Sequence, residues 1–231
     1  MQNKILIAII SCKRDIDNGF NDAIRDTWIR HIPEGVDYKF IIGQNDGLVL
    51  KDDEVMLPCP DDYNNLPYKT KALLEWALVN DYDFVYKCDT DTYLMPDRLI
   101  NSGFHNFDYV GHFNGPIGQT NTIYGCLYSW TSGGSGYCLS KKAMQIVVSY
   151  DASHMSMCPV LQIPCEDLWV GQLLGEHIEN GKILANHNPR FASGFNKDFI
   201  CDISTHYCSE GNSRKFDVNW LYNHEKINRP I

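Results

Sequence analysis

The sequence predicts an α/β fold with a mostly parallel central sheet flanked by helices. Three observations carry that prediction. Lys4–Ser11, KILIAIIS, is a continuous Ile/Leu run of the kind found in strands buried on both faces. Strand-like and helix-like segments then follow in the order strand, helix, strand, strand, helix, strand. Finally, the apolar run Phe84–Tyr86 leads into Asp89-Thr90-Asp91, which puts two carboxylates where a strand should end. Residues i and i+2 of a strand point the same way, and the carboxyl edge of such a sheet is where ligands bind.

After the first strand, Asp17 or Asn18 can cap a helix running to about Arg30, with Phe20, Ala23, Ile24, Thr27 and Trp28 on one face. Tyr38–Ile42 reads as the second strand, Gly43–Gly47 as a turn and Glu54–Leu57 as a short third strand. Asp61–Thr70 is a loop entering a helix that has Pro67 in its first turn and ends near Asn80. Pro96–Ser102 is a short helix and Tyr109–Phe113 a strand. Gly115–Trp130 has no clear period and reads as a long functional loop. Gly136–Leu139 is a strand, and Ser140 caps the helix Lys141–Tyr150. Asp151–Pro164 is irregular and Cys165–Glu179 helical. Lys182–Ala185 is a strand, and Asn186–Ile231 is an extended arm packed on the sheet.

The chain reads as a single domain over 1–231. Residues 1–113 form one half ending in the Asp-x-Asp region, and 114–231 form the other half with the arm. A net charge of −9 argues against nucleic acid or an anionic membrane as partner. It leaves room for a phosphorylated ligand, because a bound cation reverses the local sign. Ile5–Ile10 is far shorter than the ~20 residues a membrane-spanning helix needs, so no integral membrane segment is expected. Nine cysteines are an odd number, none in a C-x-x-C, and no Asn begins a glycosylation sequon. Cys158/Cys165 and Cys201/Cys208 are candidate pairs by spacing. Together these features lean towards a reducing, cytoplasmic setting.

Several residues could carry chemistry. Asp89 and Asp91 repel one another unless a cation lies between them, although Asp-Thr-Asp is also a turn former. Glu166 and Asp167 open a helix, where acids stabilise the dipole, and where one of them could also serve as a general base. Ser132–Tyr137, SGGSGY, either lets a ligand approach the backbone closely or forms a strained turn. Arg25, Lys69 and Lys87 are charge partners for a diphosphate if one binds at the sheet edge, and otherwise ordinary solvated or paired cations. His187 and His206 are the best imidazole ligand candidates. Imidazole with two carboxylates suits Mn²⁺ better than Mg²⁺.

Six motifs, in order, resemble the inverting β-1,3-glycosyltransferases, the group of β-1,3-galactosyltransferases, β-1,3-N-acetylglucosaminyltransferases and Fringe-like enzymes. They are KILIAIIS, AIRDTW at Ala23–Trp28, YNNLPYKTKALLEW at Tyr63–Trp76, YKCDTDTYL, SGGSGYCLS and CEDLWVGQLL. The resemblance implies a GT-A type fold, a UDP-sugar donor, a glycan or glycoprotein acceptor and Mn²⁺, with Mg²⁺ as the alternative. It implies Asp167 as catalytic base and Asp89, Asp91 and His206 at the metal, with Asp89 nearer the ribose or donor sugar. Ile9, Ser11, Arg25, Lys69, Lys87, Asp89, Thr90, Gly133, Gly134 and Glu166 would face the nucleotide sugar. The reaction implied is transfer of a hexose, of galactose or N-acetylglucosamine type, to form a β-1,3 linkage. Tyr124, Tyr128 and Trp130 are candidates for sugar stacking, or for core packing. The chain departs from the family in having Thr90 as the middle residue where three acids are usual, and in lacking the usual Golgi stem and anchor. A Golgi location would need an anchor preceding this sequence. The other readings are a retaining glycosyltransferase with the same Asp-x-Asp, a catalytically dead carbohydrate- or nucleotide-binding module, and a phosphohydrolase, which would carry its D-x-D-G-T on the first strand.

Overall fold

The computed structural model describes residues 3–119, 126–151, 165–192, 201–207 and 218–230. The first half contains β1 (Ile5–Ile10), α1 (Lys13–Asp17), α2 (Phe20–Asp26), β2 (Val36–Gln44), β3 (Glu54–Pro60), α3 (Leu66–Val79), β4 (Phe84–Asp89), β5 (Thr92–Leu94), α4 (Pro96–Ile100) and β6 (Tyr109–Gly111). The second contains β7 (Tyr137–Ser140), α5 (Lys141–Val148), α6 (Glu166–Glu179), β8 (Ala185–His187), β9 (Phe191–Ala192), β10 (Ser204–His206) and α7 (Asn219–Asn228).

Seven strands form one sheet in the order β3-β2-β1-β4-β7-β6-β8. The run β3-β2-β1-β4 is parallel throughout, and β6 pairs parallel with β8. Only β7 runs against its neighbours, so the sheet is mostly parallel. A second, three-stranded sheet has the order β5-β10-β9.

The apolar run of β1 produces the predicted double burial. Leu6, Ala8 and Ile10 pack against Leu73, Leu74 and Ala77 of α3, with Met144 of α5 and Trp169 of α6 in the same cluster. Ile5, Ile7 and Ile9 face the other way, into a cluster with Ile24, Trp28 and Leu221 of α7. Each such buried Ile or Leu contributes roughly 1.5–3 kcal/mol of transfer free energy.

Local signals set the helix starts. Asp62 accepts the backbone N–H groups of Asn64 and Asn65 in the turn leading into α3, and Pro67 sits in the first turn of that helix. Ser140 accepts from the Ala143 N–H at the start of α5.

Four expectations change. The helix read from Asp17–Asn18 to Arg30 is α2 followed by a 3₁₀ turn at Trp28–His31, and the separate α1 precedes it, set off by Gly19 at φ +78°, a conformation glycine adopts without strain. The strand expected at Lys182–Ala185 lies at Ala185–His187, where the partner β6 fixes its register. The strand read at Tyr109–Phe113 stops at Gly111; Phe113 makes an isolated bridge to Thr131. The arm Asn186–Ile231 contains β9, β10 and α7. Its elements are short, and α7 buries only Leu221 and His224, so little periodicity marked them. The partner residues Cys158 and Cys208 of the two candidate cysteine pairs lie outside the described residues, as do Tyr124 and the region 152–164.

Candidate active site

The carboxyl ends of the parallel strands open onto a cavity of about 800 Å³, within the range of small-molecule sites. β1 delivers Ile10, Ser11 and Cys12 to its wall, and β4 delivers Lys87 and Asp89. The two-residue turn Thr90–Asp91 joins β4 to β5, so these residues are a turn and cavity wall at once. β10 pairs antiparallel with β5, His206 opposite Thr92, which sets His206 beside Asp91. The start of α6 adds Glu166 and Asp167, and the segment before β7 adds Ser132–Gly134.

Asp91 Oδ1 is buried and makes no hydrogen bond. His206 Nε2 stands 3.5 Å from it. A buried carboxylate oxygen without a donor is costly, and a cation is the partner that would relieve it. The expected trio of Asp89, Asp91 and His206 is not gathered. Among the described residues no group of three His, Cys, Asp or Glu is arranged to hold a metal ion. Asp89 Oδ1 instead takes a hydrogen bond from Lys87 Nζ at 3.1 Å. Asp91 and His206 therefore offer a two-donor seat. A carboxylate with an imidazole is a donor pair that would suit a Mn²⁺-type ion. Burial raises the Asp89 carboxyl above its ordinary value; Lys87 opposes this, and Asp91 adds to it.

Across the cavity, Asp167 Oδ2 accepts the Gly133 N–H at 3.0 Å and Oδ1 accepts the Leu168 N–H at 2.8 Å. Burial and then the neighbouring Glu166 charge push its carboxyl up to about 6, against those two hydrogen bonds and Lys87. A carboxylate has about four acceptor sites, so Asp167 keeps capacity for an incoming hydroxyl.

Other predicted residues sit differently. Ile9 is fully buried in the cluster opposite the cavity; strand alternation gives the wall to Ile10 instead. Arg25 is not among the lining residues. Its guanidinium reaches Asp53 at 2.6 Å, Glu54 at 2.8 Å and Asp22 at 2.6 Å, which ties α2 to the start of β3. Lys69 lines the cavity but is only 2% exposed. It donates to the Ser11 carbonyl and to Asp61 Oδ1. Thr90 donates to buried Asp15 at 2.9 Å, and Ser11 to Asn21. His187 accepts the Phe113 N–H and does not line the cavity. Tyr128 is buried against Gly175, and Trp130 packs on Gly171. The Tyr128 hydroxyl donates to Glu179 of α6, and the Trp130 N–H donates to Asn114 Oδ1.

Sequence reasoning missed Arg14 and Asp15, because the charged helix α1 shows no apolar period. It also missed Asp61 and Asp62 as wall residues; the loop they open, at the entry to α3, was the available signal. The wall is acidic. Among the described lining residues, Asp15, Asp61, Asp62, Asp89, Asp91, Glu166 and Asp167 face Arg14, Lys69 and Lys87 as permanent cations.

A galactosyltransferase family profile matches residues 21–108. A probable β-1,3-galactosyltransferase 13 of Arabidopsis thaliana is 34% identical over 124 residues, 43% of this chain and 36% of that protein. Over these residues the chain is similar to the β-1,3-galactosyltransferases. The probable β-1,3-galactosyltransferase 12 of the same plant is 28% identical over 143 residues, 51% of this chain and 38% of the relative. The chain thus spans little more than a third of the length of these relatives. Among solved structures, a glycosyltransferase involved in glycosylation of the major capsid of PBCV-1 superposes with a TM-score of 0.57 at 16% identity, covering 95% of this chain and 98% of that one. An active-site mutant of LgtC gives 0.53 at 11% identity, covering 98% and 97%. The fold is of the GT-A type. The family match includes Arg25, Lys69 and Asp89–Asp91 and stops before Gly133, Glu166, Asp167 and His206.

Proposed function

We propose that this galactosyltransferase-like chain is a metal-dependent inverting glycosyltransferase. It would move a hexose, of galactose or N-acetylglucosamine type, from a UDP-sugar to a glycan hydroxyl and form a β-1,3 linkage. The observation that carries the reading is that Asp91, whose buried Oδ1 makes no hydrogen bond, and Asp167, with its raised pKa, line one cavity. A diphosphate cannot enter so acidic a wall without added positive charge. A divalent cation held by Asp91 and His206 would supply that charge and stabilise the departing UDP.

The chain's own residues then divide the work. Asp167 takes the proton from the acceptor hydroxyl as that oxygen attacks the anomeric carbon. The Gly133 N–H aims its carboxylate. Attack opposite the leaving diphosphate inverts the carbon, so an α-linked donor yields a β-linked product. Residues 1–113 supply most of the donor side, with His206 joining Asp91 at the cation, and Asp167 serves the acceptor.

A panel of nucleotide sugars, incubated with Mn²⁺ and no acceptor, tests the donor claim by release of UDP. No hydrolysis of any UDP-sugar, with or without metal, would overturn it. NMR of the product anomer separates inversion from retention.

A further inference from the structure

Lys87 is a fully enclosed cation at the centre of the cavity wall, with 2% of its surface exposed. Its Nζ contacts Asp89 Oδ1 at 3.1 Å and Glu166 Oε2 at 2.9 Å. Those carboxylates come from different elements, the end of β4 and the first turn of α6. The other Glu166 oxygen, Oε1, accepts the hydroxyl of buried Tyr137 on β7. Glu166 is thus held from both sides, and the next residue of the same helical turn is Asp167.

Gly133 closes the arrangement. A Cβ there would come within 3.1 Å of Glu166 Oε2, 3.2 Å of Asp167 Cβ and 3.3 Å of Lys87 Nζ. Three groups converge on one glycine, and its N–H aims the Asp167 carboxylate.

Building on the function proposed above, we propose that Lys87 is a positioning residue rather than a phosphate ligand. It clamps the Asp89 end of β4 to the Glu166 end of α6, which sets the distance from Asp167 to the donor sugar bound at the end of β4. Charge supports this choice. One ammonium against two carboxylates leaves the cluster net negative, which repels a diphosphate instead of attracting it. The geometry agrees, since two of the three ammonium protons are committed to protein oxygens.

The test compares Lys87→Met with the double variant Lys87→Met/Glu166→Gln. The double variant removes the buried carboxylate that the single change leaves unpaired. UDP binding with Mn²⁺ is titrated to count folded sites, and kcat and donor KM are measured on those sites. A misplaced base costs on the order of 100-fold in kcat, with donor KM and UDP affinity within about 3-fold of wild type, far from the tenfold that 1.4 kcal/mol represents. The double variant should lose no more than the single one, because both break the same clamp. If Lys87→Met does not fold, the double variant carries the same comparison of kcat with KM. A tenfold or greater rise in donor KM or UDP Kd with kcat unchanged would make Lys87 a phosphate ligand and overturn the proposal alone. A wild-type chain that turns over no UDP-sugar overturns the parent reading and this one with it.

Discussion

Asp91 Oδ1 and His206 Nε2 face each other at 3.5 Å, one from the turn after β4 and the other from β10, more than a hundred residues later in the chain. The Asp91 oxygen has no hydrogen-bond donor. If the pair seats a divalent cation, Asp91→Ala and His206→Ala should each weaken Mn²⁺-dependent UDP binding on the order of 100-fold, at the upper end of what metal-site changes cost. Calorimetry with and without Mn²⁺ reads this directly. Metal-dependent affinity that survives both changes would move the ion elsewhere.

Gly134 offers a way to disturb the same seat without deleting a ligand. A Cβ on Gly134 would lie 2.5 Å from His206 Nε2, closer than real Cβ contacts come. The imidazole has to swing away. Gly134→Ala should reproduce most of the His206→Ala loss in Mn²⁺-dependent UDP binding while leaving the two core clusters intact. An alanine variant with wild-type metal dependence would show that His206 does not need its present place.

Asp167 gives the pH dependence. Its carboxyl is pushed up to about 6 by burial and by Glu166. A general base works only when deprotonated, so kcat/KM should rise tenfold per pH unit below about 6 and level off above it. Asp167→Asn should remove that limb along with turnover and leave UDP–Mn²⁺ binding nearly unchanged. Loss of UDP binding in that variant would take Asp167 out of the base role.

The central fold was legible because burial on both faces of β1 forces an unmistakable apolar run, and because Asp62, Pro67 and Ser140 are strong local signals. The candidate site was legible in part. Asp89, Asp91, Gly133 and Asp167 converge because strand alternation and helix starts put them at one sheet edge. What the sequence could not show is which charges spend themselves on one another. Lys69 on Asp61, Lys87 on Glu166 and Arg25 on Asp53 look identical, in a string of letters, to cations waiting for a phosphate. Nor could alternation be read to the residue. A shift of one position gives the cavity to Ile10 and the core to Ile9. The α1 residues Arg14 and Asp15 were hidden because a five-residue charged helix has no face to detect.

Arg25 is the sharpest case of that ambiguity. The family resemblance assigns it to the nucleotide, whereas the fold engages it with Asp53, Glu54 and Asp22 and lays it over the Phe40 ring at 4.7 Å. Burial works to raise the Asp53 and Glu54 carboxyls, but hydrogen bonds, those from Arg25 among them, outweigh it and hold both below their ordinary values. Carboxyls lowered on folding contribute stability above their unfolded pKa values, about 3.8 and 4.5, and lose it as pH falls through the lower folded values. Arg25→Met should therefore cost about 2 kcal/mol near neutral pH, the scale of charged hydrogen bonds lost from a half-buried site. The cost should shrink as the pH is lowered below about 4, where the carboxyls protonate in the unfolded chain first. Denaturant melts at pH 7 and pH 3.5 measure both values. UDP affinity should stay at the wild-type level throughout. A tenfold weaker UDP affinity in a variant of unchanged stability would return Arg25 to the nucleotide.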